Sequence, residues 1–155
     1  MDDPQGRAAL KGSVLGLMPE ADLDVLMRDS RLVMFTAGQK VFAKGDPATQ
    51  AFYVVVEGAL EPRRAPGQAL ARLGPGQVVG EIGAVSPYQV RVCDVVAAEP
   101  TTALEIDLSK VILDSPDLAN RVMKRLETTA WKRIVENERI EARARGATGG
   151  RAGPA

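Results

Sequence analysis

Leu32-Val33-Met34-Phe35, Lys40-Val41-Phe42, Phe52-Tyr53-Val54-Val55-Val56 and Ala59-Leu60-Glu61-Pro62-Arg63-Arg64 are short, largely apolar runs, each closed by turn residues. Ala37-Gly38 follows the first, Gly45-Asp46-Pro47 the second, Gly58 the third and Ala65-Pro66-Gly67 the fourth. Leu70-Ala71-Arg72-Leu73 ends at Gly74-Pro75-Gly76, and runs at 93–98 and 102–106 complete the series. Strands this short and this evenly punctuated predict a compact β-barrel or jelly roll, because a βαβ sheet would need a helical pattern between them. Pro62 lacks a backbone N–H, which predicts that its strand lies at a sheet edge.

Outward from this block the periodicity changes. On the N-terminal side Pro19-Glu20 has the form of a helix start, and Leu23, Leu26 and Met27 follow at helical spacing. On the C-terminal side 108–113 reads as a short helix, followed by Ser115-Pro116-Asp117. There serine caps, proline takes the first helical position and aspartate faces the positive end of the helix dipole. Leu118, Val122, Leu126, Ala130 and Ile134 then recur every four residues, one narrow apolar stripe that predicts a helix to Arg145, with Gly146 as its stop. The expected fold is mainly β with flanking helices: an eight-stranded β-roll, N-terminal helices and a long C-terminal helix. The expected segments are 1–30 helical, 31–107 the roll, 108–145 the C-terminal helices and 146–155 a disordered, Gly-rich tail.

Composition narrows the chemistry. The 155 residues suit one domain, and 45% hydrophobic with 26% charged residues is ordinary for a globular protein. Twenty basic and twenty acidic residues cancel, so no net charge draws the chain to nucleic acid or anionic lipid. There is no histidine and one cysteine, Cys93. That excludes His-based nucleophilic triads, His-ligated metals and an intrachain disulfide, and points to a reducing, cytoplasmic setting. No apolar run reaches the ~18 residues of a membrane span, and the polar, acidic N-terminus is unlike a secretory signal. The balance favours binding over catalysis, so the chain is expected not to be an enzyme; an enzyme on a cupin-like barrel would need histidine ligands.

The most informative segment is Val79-Gly80-Glu81-Ile82-Gly83-Ala84-Val85, followed by Arg91-Val92-Cys93-Asp94. Gly80 permits close backbone approach, and the amides of Ile82 and Gly83 open a helical turn toward an anion. Arg91 offers a permanent forked charge suited to a phosphate diester. Glu81 fits beside a phosphate when the ligand also carries a hydroxyl donor, as a ribose does. The alternative is a structural ion pair between Glu81 and Arg91 across a turn.

These residues resemble the cyclic-nucleotide-binding domain family. The likeness extends to Phe35-Thr36-Ala37-Gly38-Gln39 with Val41-Phe42, Lys44-Gly45-Asp46-Pro47, the 52–58 run and Leu73-Gly74-Pro75-Gly76, roughly residues 12 to 135 in all. The resemblance implies a phosphate-binding cassette over 79–93. Within it Glu81 would contact the ribose 2′-hydroxyl and Arg91 the phosphate, with the backbone of Val79, Gly80, Ile82, Gly83, Val92 and Cys93 completing the site. It also implies that the segment holding Arg125 and Thr129 touches the base, with Thr129 toward an adenine amino group. The implied ligand is cAMP, with cGMP as the alternative, and no other cofactor.

The sequence departs from the family at Val92, which lacks a hydroxyl for the phosphate or a guanine amino group, and at Asp94, a carboxylate near an anion site. Val92 disfavours cGMP. Asp94 is compatible with binding if it faces solvent or pairs with a cation. Both support a second reading, a nucleotide-free interaction or dimerisation module. Cys93 reads as a small core residue, and Trp131 as packing, with a base lid or a dimer seam as alternatives. The mixed charges from Lys124 to Arg145 read as a solvated helix face. Expected partners are the nucleotide, an unidentified protein effector and, alternatively, a second copy through the C-terminal helix. No helix-turn-helix or membrane segment is expected.

Overall fold

The computed structural model describes residues 3–47, 50–65, 68–80, 90–91 and 93–149. Two helices, α1 (Pro4–Lys11) and α2 (Glu20–Arg28), precede the strands β1 (Ser30–Phe35), β2 (Lys40–Phe42), β3 (Ala51–Glu57) and β4 (Leu60–Ala65). Then come β5 (Gln68–Ala69), β6 (Val78–Val79), β7 (Asp94–Ala97) and β8 (Thr101–Asp107), and the helices α3 (Leu108–Asp114) and α4 (Pro116–Gly149). The strands form two four-stranded antiparallel sheets, ordered β1-β8-β3-β6 and β2-β7-β4-β5. This is the expected roll with its flanking helices.

The unbroken apolar run of β3 follows from its place in the roll. Phe52 and Val54 pack toward the helices with Leu10, Leu23, Leu26, Leu118, Val122 and Leu126. Tyr53 and Val55 point between the sheets, against Leu60, Leu73, Val79, Val95 and Ala103. A strand covered on both faces has no solvent side to mark with polar residues. At its end Gly58 takes φ +93°, and a Cβ there would lie 2.4 Å from the Pro100 carbonyl oxygen, so only glycine fits.

Pro62 is not at a sheet edge, contrary to expectation: β4 lies between β7 and β5. The N and C=O of one strand residue face the same neighbour, and the Pro62 carbonyl accepts from Leu70 N–H at 2.8 Å, on the β5 side. The missing donor therefore costs the β7 ladder nothing. It also explains why Leu70-Ala71-Arg72-Leu73 is not the strand expected. Pro62 cannot return a bond to Leu70, so regular pairing stops at the two-residue β5. It resumes only at Leu73, which exchanges bonds of 2.9 and 2.8 Å with Leu60.

The start of α4 is as read from the sequence: Leu118 N–H donates to Ser115 Oγ at 3.4 Å and Pro116 opens the helix. Its buried face carries Leu118, Ala119, Val122, Leu126 and Ala130. The helix passes through Gly146 to Gly149, because Gly146 does not adopt the positive φ that ends a helix; residues 150–155 lie outside the described ones. Trp131 is 60% exposed, which overturns the reading that it packs into the core. Among the described residues no helix is long and apolar enough to cross a membrane.

Candidate nucleotide pocket

Strand β6 ends at Gly80, whose φ of +87° turns the chain sharply. Its carbonyl accepts from Arg91 Nη1 at 3.3 Å, while Arg91 Nη2 donates to the Ala51 carbonyl at 3.2 Å. The other face of the guanidinium lies 4.2 Å from the centroid of the Phe42 ring, and Phe42 leans on Tyr53 with centroids 6.4 Å apart. Arg91 is only 4% exposed, and burial is the largest influence pulling its pKa below the ordinary arginine value. The Gly80 and Ala51 carbonyls and the Phe42 ring contribute to fixing the orientation of this desolvated cation.

The backbone that carries Arg91 is tied to the preceding turn. Arg91 N–H donates to the Asp46 carbonyl at 2.8 Å, Gly45 N–H donates to the Arg91 carbonyl at 2.9 Å, and Pro47 bridges Val90. Asp94 serves the same turn. Its carboxylate accepts from Lys44 N–H at 2.8 Å and lies 3.7 Å from Lys40 Nζ. The Lys44 amide, then Lys40, holds its pKa below the ordinary value. The carboxylate that threatened an anion site is thus engaged with a cation and a loop amide.

Beside Gly80 the mouth of the roll is a concave pocket of about 100 Å³. Phe42, Leu73, Val79 and Val95 form apolar walls, and Gly80 and Cys93 also line it. From α4, Arg133 and Glu136 also line the pocket. Arg133 Nη1 donates to the Val78 carbonyl, and Glu136 lies 3.7 Å from Arg139 one turn on. Among the described residues no group of three or more acidic, cysteine or histidine side chains could hold a metal ion.

Of the residues named from the sequence, Val79, Gly80 and Cys93 meet at this pocket, with Arg91 packed against Gly80. Cys93 is half-buried against the inter-sheet core. Glu81, Ile82, Gly83 and Val92 lie outside the described residues. Thr129 lines a groove with Gly12, Gln77, Val78 and Arg133, its hydroxyl 3.5 Å from the Arg125 carbonyl. Half-buried Arg125 is not among the residues lining the pocket. Sequence reasoning missed Phe42 as the shelf for Arg91, and Arg133 and Glu136 at the mouth. The last two stand four and seven positions after Thr129, so helical spacing could have flagged them.

The family model for the cyclic nucleotide-binding domain matches residues 32–112, from β1 into α3. Over 126 residues the chain is 32% identical to Glutaminase 2 of Bradyrhizobium diazoefficiens, which covers 77% of this chain and 20% of that protein. Over 118 residues it is 27% identical to the Pycsar effector protein XpPycTIR of Xanthomonas perforans, 74% of this chain and 37% of that protein. The chain therefore spans well under half the length of either curated relative. A cyclic nucleotide-binding domain from Methylobacillus flagellatus has the same fold at TM-score 0.69 and 18% identity, over 88% of this chain and 83% of that one.

Proposed function

This chain belongs to the cyclic nucleotide-binding domain family, and from that premise we propose that it is a cytoplasmic regulatory module that binds cAMP and signals through α4. The observation that carries the reading is Arg91, buried on Phe42 and held by the Gly80 and Ala51 carbonyls beside the mouth of the roll. In this reading Arg91 takes the cyclic phosphate and Glu81 accepts from the ribose 2′-hydroxyl. The backbone of Val79, Gly80, Ile82, Gly83, Val92 and Cys93 completes the cassette. The apolar walls at Leu73, Val79 and Val95 suit the base. Val92 offers no hydroxyl to a guanine amino group, so cAMP is preferred over cGMP. Arg133 and Glu136 replace Thr129 and Arg125 as the α4 residues nearest the bound ligand. Occupancy shifts α4 between positions, which is the output read by a protein effector.

Calorimetric titration of the nucleotide-stripped chain with cAMP and with cGMP tests this. Micromolar or tighter binding, with cAMP ahead, is expected. Absence of heat and of any thermal shift with both nucleotides would replace the reading with that of a nucleotide-free interaction module.

A further inference from the structure

Strand β2 pairs with β7 as far as Phe42 and Val95, and contact with the same stretch of chain resumes where Gly45 and Asp46 bond to Arg91. Between these points the ladder is interrupted at Ala43 and Lys44. Backbone amides at such a break need acceptors, and carboxylates supply both. Ala43 N–H donates to Asp46 Oδ2 at 2.9 Å, and Lys44 N–H donates to Asp94 Oδ1 at 2.8 Å. The first bond is internal to the turn. The second crosses to a residue three positions beyond Arg91, and so ties the turn to the segment that carries the cation.

The turn touches Arg91 at both ends of the residue. Gly45 N–H and the Asp46 carbonyl hold its backbone, at 2.9 and 2.8 Å. Its guanidinium lies 4.2 Å from the ring centroid of Phe42, the residue that leads into the turn. A shift of the turn therefore moves the backbone and the ring together. Against this stands the charge of Asp94, which a phosphate would feel as repulsion. That charge is offset: Lys40 Nζ lies 3.7 Å away, and Arg63 stands directly across the β4–β7 pair. The carboxylate is only half-buried, so solvent and salt screen what remains. Position outweighs repulsion.

We propose that Asp94 is a positioning residue for the anion site: through the Lys44 amide it fixes the 43–46 turn, and the turn fixes both the backbone of Arg91 and the ring under its guanidinium. This rests on the reading that Arg91 takes the cyclic phosphate. The departure from the family at Asp94 then builds the site, where a bare charge would oppose the ligand. The two roles have opposite signs. Removing a repulsive charge tightens binding, whereas removing a positioning acceptor weakens it.

The test uses the full chain, stripped of nucleotide, as wild type, Asp94→Ala and Asp94→Asn. Asparagine keeps an oxygen acceptor for the Lys44 amide without the charge. In calorimetric titration with cAMP, Asp94→Ala should weaken binding by about tenfold, the smaller end of the range for losing a group that orients a ligating residue. Asp94→Asn should recover most of that loss. Equal or tighter binding by Asp94→Ala, with wild type binding normally, overturns the positioning role, as does an asparagine variant no better than alanine. The side-chain Nε–H resonance of Arg91, identified by its absence in Arg91→Leu, reports the place of the guanidinium over the Phe42 ring with no nucleotide present. It should shift in Asp94→Ala and stay close to wild type in Asp94→Asn. An unmoved resonance in Asp94→Ala overturns the positioning role whatever the titration gives. A wild type that binds no nucleotide overturns the functional reading instead, and the resonance still decides the positioning.

Discussion

The guanidinium of Arg91 lies 4.2 Å above the Phe42 ring, on the inner wall of the roll. Phe42 is also in contact with Tyr53, which is edge-on to Phe35 at 6.3 Å, so the cation rests on a row of three aromatic side chains. The hydroxyl of Tyr53 donates to Glu105 at 2.9 Å, and burial, then Glu105, pushes its pKa up to about 12. The tyrosine therefore stays protonated and adds no negative charge beneath Arg91.

Removing the cation tests its role. Arg91→Leu should cost ~2–5 kcal/mol of cAMP binding, the scale for truncating one partner of a buried charge pair. Arg91→Lys keeps the charge but loses the planar fork and its stacking on Phe42, so most of the loss should persist. Titration calorimetry measures both, and wild-type affinity in the leucine variant would show that Arg91 does not hold the phosphate.

Gly80 is constrained twice. Its φ of +87° disfavours any side chain, and a Cβ would lie 3.2 Å from Arg91 Nη1 and 3.5 Å from Phe42. Gly80→Ala should destabilise the fold by ~1–3 kcal/mol through backbone strain and lower nucleotide affinity by displacing the guanidinium. A melting temperature and affinity equal to wild type would mean that neither constraint operates.

Thr129 gives the contrasting case. It faces the groove outside β6, so Thr129→Ala should change binding by no more than ~0.5 kcal/mol, as for a residue away from the site. A loss comparable to that of Arg91→Leu would place the base against Thr129 after all.

Stability should depend on pH through Asp29, at the end of α2. Burial, then the neighbouring Asp114 carboxyl at the end of α3, pushes its pKa from 3.8 up to about 6, with Arg28 and Lys110 opposing. Its Oδ2 is buried without a hydrogen-bond partner. Because the folded-state pKa is raised, the folded chain binds a proton between about pH 4 and 6 that the unfolded chain releases. This group's contribution is therefore most favourable below that window, falls as pH rises through it and is flat above it. Asp114→Asn should flatten the slope and raise the melting temperature at pH 7. Thermal unfolding from pH 4 to 7.5 checks it; parallel wild-type and variant curves would exclude the pair as the source.

Legibility followed the range of the physics. The strand at 40–42 and the cap at Ser115 were readable because turn residues and side-chain caps act within a few positions. The strand expected at 70–73 failed because pairing there depends on which neighbour faces the nitrogen of Pro62, a matter of sheet order. Trp131 misled because a large aromatic residue is usually buried, and only the path of α4 leaves it outside.

By itself the sequence determined the roll, its flanking helices and the grouping of Gly80 with Arg91. Periodicity, turn chemistry and a glycine–arginine spacing are local, and they hold wherever the chain ends up in space. Tertiary structure alone decided what surrounds that arginine and what covers it. Phe42, Gly80 and Ala51 meet Arg91 across three strands and a turn, and Arg133 reaches Val78 across 55 positions of chain. Such encounters arise from the packing of one sheet on another and of α4 on the edge of β6, which no local pattern encodes.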